Sequence, residues 1–167
     1  VNQPGSYHDV TDTTVVAQFK ALIGSLPEFL TGFGDIHILA WTTTPWTLPS
    51  NTALTVGPKI DYVLVDTFNQ YTFLPTKVIL AKNLVGKQFT KGFFESSDAS
   101  DFENFKEGDK KIPFQVLKEF KGADLVGIRY EQLMKLALPH ENAENAFRVI
   151  SGDFVTTEDG TGIVHTA

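Results

Sequence analysis

Cysteine is missing from all 167 residues, and there is one methionine and there are two tryptophans. The absence of cysteine excludes a disulfide scaffold, a thiolate metal site and a cysteine nucleophile. It agrees with a reducing compartment without requiring one. No apolar run approaches the ~18 residues of a membrane-spanning helix, the first residues lack a secretory pattern, and no Asn-x-Ser/Thr sequon occurs. A soluble, cytoplasmic chain with no membrane partner is the expectation. Basic residues are in deficit, 14 Lys and Arg against 20 Asp and Glu, for a net charge of −6 and a pI near 5.1. That balance leaves no global footprint for nucleic acid. Chemical motifs are equally sparse. There is no Gly-x-Ser-x-Gly elbow, no phosphate-binding Walker loop and no Gly-x-Gly-x-x-Gly; Gly160-Thr161-Gly162 lacks the third glycine. The histidines, at positions 8, 37, 140 and 165, have no helical-spaced partner suited to zinc. No metal or cofactor is expected, and the carboxylates read as solvated surface charge.

What is present suits a folded β-rich chain. Hydrophobic residues make up 42% and charged residues 20%, and the length suffices for one domain with a sizeable core. The chain does not begin with methionine, so a single domain over 1–167, excised from something longer, is expected. After a polar opening at 1–8, β-branched and aromatic residues predict strands at 14–22, 36–41, 53–56, 114–120 and 146–155. Segments 62–65 and 70–74 read as a hairpin about Phe68-Asn69, and 24–34, rich in glycine, as loop. Residues 75–84 read as a helix closed by Gly86, and 130–138 as one or two helical turns ended by Pro139. Gly122 to Gly127 reads as a turn. The polar, acidic stretch 91–111 reads as a surface excursion pinned by Phe93, Phe94, Phe102 and Phe105. Asp159-Gly160 predicts a hairpin whose second strand runs from Ile163 to Thr166. The expected fold class is mainly β with a few short helices (α+β), and barrel-like.

One stretch stands apart: Trp41-Thr42-Thr43-Thr44-Pro45-Trp46-Thr47-Leu48-Pro49-Ser50-Asn51. It holds both tryptophans, four threonines and two prolines directly after an apolar run. The threonines could simply continue a strand that Pro45 ends. Asn51 could be a cap or turn residue, and His165 a satisfied core histidine. The combination is what points further.

That stretch, together with Glu158-Asp159-Gly160-Thr161-Gly162-Ile163-Val164-His165-Thr166-Ala167, closely resembles the editing domain of isoleucyl-tRNA synthetases, the connective polypeptide 1 insertion of class I enzymes. Asp9-Val10-Thr11-Asp12 also fits that domain's opening. Valyl and leucyl relatives resemble Thr-Thr-Arg-Pro followed by an acid. Here Thr44 stands in place of the arginine and Trp46 in place of the acid, which favours the isoleucyl type.

The resemblance implies a proofreading hydrolase that acts on valyl-tRNA(Ile), and on valyl-adenylate as a further substrate, with no cofactor of its own. Its implied partners are the 3′ end of the tRNA, with its terminal adenosine, and the catalytic Rossmann domain of the same synthetase. A second sieve is needed because one methylene is worth only ~1–3 kcal/mol to a binding pocket, a magnitude established on isoleucyl enzymes themselves. An ester is already activated, so positioned water and hydrogen-bond donors matter more than a strong nucleophile. Thr42, Thr43 and Thr44 are the implied catalytic residues. Trp41, Thr47, Asn51 and His165 are the implied substrate contacts, with Trp41 walling the pocket or packing on the adenosine and His165 limiting side-chain size. The family's aspartate for the substrate's ammonium group lies beyond the position of Ala167, so these residues alone are expected to hydrolyse weakly. A non-catalytic β-barrel module that contacts a nucleotide or peptide through the threonine-rich loop is the alternative. The two are separated by whether His165 meets the threonines in space.

Overall fold

Runs of β-branched and apolar residues form nine strands in a computed structural model that describes Thr11 and residues 13–167. The expected polar opening and the other residues of the Asp9-Val10-Thr11-Asp12 block lie outside the described residues. The strands are β1 (Val15–Lys20), β2 (Ile36–Thr42), β3 (Ala53–Val56), β4 (Asp61–Phe68), β5 (Pro75–Ala81), β6 (Phe93–Glu95), β7 (Ile112–Lys121), β8 (Arg148–Ser151) and β9 (Ile163–Thr166). Their order is β6-β7-β4-β5-β2-β9-β3-β8, with β1 on the free edge of β2. The sheet is mixed: β2 runs parallel to β5 and β9, whereas β1 and β2, β3 and β9, and β4 and β5 are antiparallel. Helix is confined to short pieces, of which α1 (Val85–Gln88) and α2 (Ala99–Glu103) are α-helical. The mainly β, α+β expectation agrees with this architecture.

Strand β2 forks the sheet. Its first half lies beside β5, Ile36 opposite Lys77, while Trp41 near its end lies beside Val164 of β9. The β9 branch curls into a barrel. The strip at 128–130 joins β8 to β1: Val149 N–H donates to Ile128 O at 2.8 Å, and Leu22 N–H to Arg129 O at 2.8 Å. Alternation along each strand sends Phe19, Ile38, Leu54, Val149, Ile163 and Tyr130 into one core, each at most 2% exposed. Burial of each large apolar side chain stabilises by ~1.5–3 kcal/mol. The other branch, β5-β4-β7-β6, continues as an open sheet. Leu39, Val63, Val65, Val78, Leu80 and Phe114 form a second cluster on its outer face.

Several expected elements differ. Residues 75–84 are largely a strand, β5, not a helix. Val78, Ile79, Leu80 and Ala81 are all buried, because both faces of this branch are covered. A continuous apolar run of that length has no period with which to separate strand from helix. Residues 70–74 are the turn between β4 and β5, where Asn69 Oδ1 accepts from Tyr71 N–H at 2.8 Å and Thr72 N–H at 3.1 Å. Residues 130–138 are not helical: Tyr130 is a bridge residue opposite Ala21, and irregular chain follows. Only Arg148–Ser151 of the expected 146–155 strand is extended. Gly160 does turn, with φ of 77°, but β8 and β9 are not hairpin partners. Each pairs with an opposite edge of β3, because β9 fills the gap between β2 and β3. Within 91–111, β6 and α2 are ordered, and Phe105 packs on Phe68 at a centroid distance of 4.4 Å. Asp98 caps α2 by accepting from Ser100 N–H at 2.9 Å.

Candidate functional site

The alternation that sends Ile36, Ile38 and Ala40 inward makes Thr42 the last inward residue of β2, only 7% exposed. Its hydroxyl thus arrives at the rim of the barrel. The chain then turns sharply. Pro45 sits at the first position of a 3₁₀ segment, Pro45–Ser50, where its fixed φ suits a helical start and its missing N–H costs nothing. Threonine hydroxyls supply the local bonds. Thr44 N–H donates to Thr42 Oγ1 at 3.0 Å, and Thr47 Oγ1–H donates to Thr44 O at 2.8 Å. Thr44 Oγ1 lies 3.2 Å from Thr42 Oγ1 and 3.4 Å from Thr47 Oγ1. Asn51 ends the segment, its N–H bonded to Leu48 O at 3.1 Å and its side chain buried at 4% exposure.

Strand β9 brings the far end of the chain to the same rim. Its antiparallel register with β3 sets His165 opposite Leu54. The imidazole Nε2 lies 3.0 Å from Thr47 Oγ1, and Nδ1 lies 2.8 Å from Asn51 Nδ2. Those partners are 118 and 114 residues away in sequence.

The direction of these bonds follows from the amide. Asn51 Oδ1 accepts from Tyr130 Oη–H at 2.6 Å, and Nδ2 donates to Ala53 O at 2.9 Å and lies 3.3 Å from Thr166 O. An amide nitrogen only donates, so His165 Nδ1 is an acceptor and the ring proton sits on Nε2, facing Thr47. Burial lowers the His165 pKa from its ordinary value, with a hydrogen bond to Thr47 opposing. The ring is therefore neutral near pH 7, with both nitrogens engaged. It is poorly placed to act as a general base, because taking a proton at Nδ1 would set two donors face to face.

Of the residues singled out in the sequence, Thr42, Thr44, Thr47, Asn51 and His165 share one hydrogen-bonded cluster. Thr43 is exposed, and its hydroxyl carries no hydrogen bond among the described residues, so it stands outside this cluster. Trp41 points to the other side of β2, as its pairing with Val16 requires, and packs over Gly160. A Cβ at Gly160 would fall 2.8 Å from the indole. Its side chain is thus across the sheet from Thr42 and His165. The other indole, Trp46, is 67% exposed on the 3₁₀ segment. Tyr130 was not singled out. Its signal was the alternation Ile128-Arg129-Tyr130, buried on either side of a half-buried arginine. Among the described residues, no group of three His, Asp or Glu side chains converges to hold a metal.

Comparison with known proteins gives a consistent picture. The whole chain is 58% identical over 167 residues to isoleucine–tRNA ligase of Cytophaga hutchinsonii, and 57% identical to that of Bacteroides fragilis. Over 161 residues it is 41% identical to isoleucine–tRNA ligase of Clostridium tetani. It spans 14% of the length of the first two relatives and 12% of the third. No family model matches. In three dimensions it is similar to the P. knowlesi cytosolic leucyl-tRNA synthetase editing domain, with a TM-score of 0.60 and 15% identity, over 91% of this chain and 56% of that one. The structure of GlLeuRS-CP1 gives a TM-score of 0.59 and 14% identity, over 92% and 52%. At such identities the likeness is one of fold.

Proposed function

We propose, from the premise that this chain belongs to the editing-domain family of isoleucyl-tRNA synthetases, that it removes valine from valyl-tRNA(Ile) by hydrolysing the ester. The observation that carries this reading is the meeting of His165 with Thr47 and Asn51, at 3.0 and 2.8 Å, beside Thr42 and Thr44. Had these two sequence blocks lain apart, a binding module would be the better reading.

The chemistry suits an activated ester. Hydroxyls at the barrel rim both donate and accept, so they can orient a water and meet the developing oxyanion. Thr43 offers an uncommitted hydroxyl, while Thr42 and Thr44 hold the turn that presents it. Their high pKa values leave them as positioning groups. His165, neutral and engaged at both nitrogens, acts as a wall whose bulk admits valine and excludes isoleucine. In this reading the tRNA 3′ end enters at the rim, the catalytic domain of the same synthetase delivers it, and the work is done in the cytoplasm.

The test is deacylation of valyl- and isoleucyl-tRNA(Ile) by the chain extended beyond Ala167. His165→Ala is expected to gain hydrolysis of the isoleucyl ester. If the variant discriminates between the two esters as the parent does, the sieve role is wrong. If the parent leaves valyl-tRNA(Ile) untouched, the hydrolytic reading itself fails.

A further inference from the structure

We propose that Tyr130 is a positioning residue: through Asn51, its hydroxyl sets which ring nitrogen of His165 carries the proton and faces the threonines. Its effect on rate rests on the proofreading reading above; its effect on the tautomer does not.

The contrast between two buried tyrosines carries the inference. Tyr62 Oη accepts from Gly57 N–H at 2.9 Å and donates to Gly162 O at 2.6 Å, tying backbone to backbone. Among the described residues Tyr130 Oη makes one bond, and it goes to a side chain of the site: Asn51 Oδ1, at 2.6 Å.

Tyr130 is held firmly enough to impose that bond. Its N–H donates to Phe147 O at 3.0 Å, and Glu131 N–H donates to Lys20 O at 2.8 Å, so the strip is fixed on both edges. The ring is 2% exposed and packs edge-on to Phe19 at 5.3 Å and to Phe147 at 6.3 Å. Burial keeps the phenol protonated, and therefore a donor, at neutral pH. A donor at that point requires the oxygen end of the Asn51 amide to face it. The nitrogen end then faces Ala53 O and His165 Nδ1.

Reversing the amide would aim the Tyr130 proton at an N–H group and press two carbonyl oxygens together. The Ala53 and Thr166 carbonyls guard one end of the amide with backbone, and Tyr130 guards the other with a side chain. Only the second guard can be removed by substitution with the backbone intact. The order then runs on. Asn51 donates to Nδ1, Nε2–H donates to Thr47, and the Thr47 proton is left for Thr44 O. The opposite tautomer would offer Thr47 a lone pair and draw its proton away from Thr44, loosening the turn at Pro45–Ser50.

Long-range proton–nitrogen NMR of an isotope-labelled chain reads the His165 tautomer directly. The parent is expected to show the Nε2–H form alone. Tyr130→Phe keeps the packing and removes the donor. It is expected to give mixed tautomers, a titration midpoint moved up toward that of an ordinary histidine, and valyl-ester hydrolysis lower by roughly five- to tenfold. The acid limb of the pH–rate profile should move with the midpoint. Asn51→Asp tests the same bonds from the middle, because a carboxylate cannot donate to Nδ1. There the ring must donate from Nδ1, and its midpoint should rise above the ordinary value. If Tyr130→Phe loses its dispersed spectrum, Tyr130→Met, which also lacks the donor, takes its place. His165 staying purely Nε2–H in a folded variant that lacks the Tyr130 hydroxyl overturns the role of Tyr130, whatever the hydrolysis rates. The expected tautomer shifts upheld, with no ester hydrolysis even in the parent, support Tyr130 and sink the proofreading reading instead.

Discussion

The two branches that diverge from β2 both contain threonines, aromatic rings and exposed amides, yet they are built to different ends. Between β1 and the open branch lies a cleft of about 440 Å³ lined by residues such as Gln18, Leu39, Asn69, Thr76, Val78 and Phe89. Among the described residues no Asp, Glu, His, Lys or Arg lines it. On the barrel branch, six side chains from three parts of the sequence link into one run, Tyr130 to Asn51 to His165 to Thr47 to Thr44 to Thr42. Convergence of polar groups, not volume, separates a candidate for chemistry from a gap beside packed aromatics.

The comparison breaks most sharply if the run is cut. Replacing Thr43 and Asn51 together by alanine should lower valyl-tRNA(Ile) deacylation by roughly a hundredfold or more, the size of losing oriented donors at an oxyanion. Folding is expected to feel the change as well, because Asn51 satisfies a buried phenol and bonds to Ala53 O. Thermal unfolding of the double variant should show a cost of ~1–3 kcal/mol, the range for orphaning a buried polar partner. Near-parental deacylation would remove the run from the chemistry.

How much of this was legible beforehand depended on period. Strands β1, β2, β3 and β7 declare themselves because one face of each is apolar, or because β-branched residues cluster. Strand β5 does not, since Val78 to Ala81 is buried on both faces and looks the same as a core helix. The Asp159-Gly160 turn was readable as a turn, but its hairpin was not, because β9 takes partners that are distant in sequence. The threonine stretch and His165 were readable as two blocks by resemblance. That Trp41 faces away from them is a consequence of strand parity, which needed the exact end of β2. Tyr130 was hidden because its role rests on one long-range bond, 79 residues from its partner.

The two faces of β2 can be tested for coupling at Gly160, which turns the chain ahead of β9 directly under Trp41. With φ at 77°, an alanine there adopts a left-handed conformation, and its Cβ sits 2.8 Å from the indole. The conformational part alone costs ~1–2 kcal/mol. Gly160→Ala should therefore lower the thermal midpoint. Deacylation should fall by less than in the double variant, because β9 stays paired with β3. A loss of deacylation as complete as that of the double variant would mean that the outer face controls the site.

A weaker handle is pH. The folded-state pKa of His165 lies below its ordinary value because the ring is buried. As pH falls through ~6.5, the unfolded chain takes up a proton before the folded chain does. Stability is therefore full above that point and declines as pH falls toward the folded value. One such histidine contributes a slope of at most about 1.4 kcal/mol per pH unit. His37, also lowered mainly by burial, adds a decline of the same sign from outside the site. Urea unfolding of the parent and of His165→Ala at a series of pH values separates the two, and the variant should decline less steeply. Identical slopes would show that His37 carries the effect and that the site run does not resist protonation.

The smallest expected change lies in the cleft of the open branch. Thr76 lines that cleft, and its Oγ1 is buried without a hydrogen-bond partner among the described residues. A buried hydroxyl with no partner among the described residues gains little from its polarity, so a methyl group of nearly the same shape should serve as well or better. Thr76→Val is expected to leave deacylation unchanged and to raise stability by up to ~1 kcal/mol, measured by denaturant unfolding with an unaltered slope. The same hydroxyl-to-methyl exchange at Thr47 or Thr44 would break bonds that the run uses. A drop in deacylation at Thr76→Val, with stability held, would mean that the open branch takes part in the reaction, and the division between the two branches would have to be redrawn.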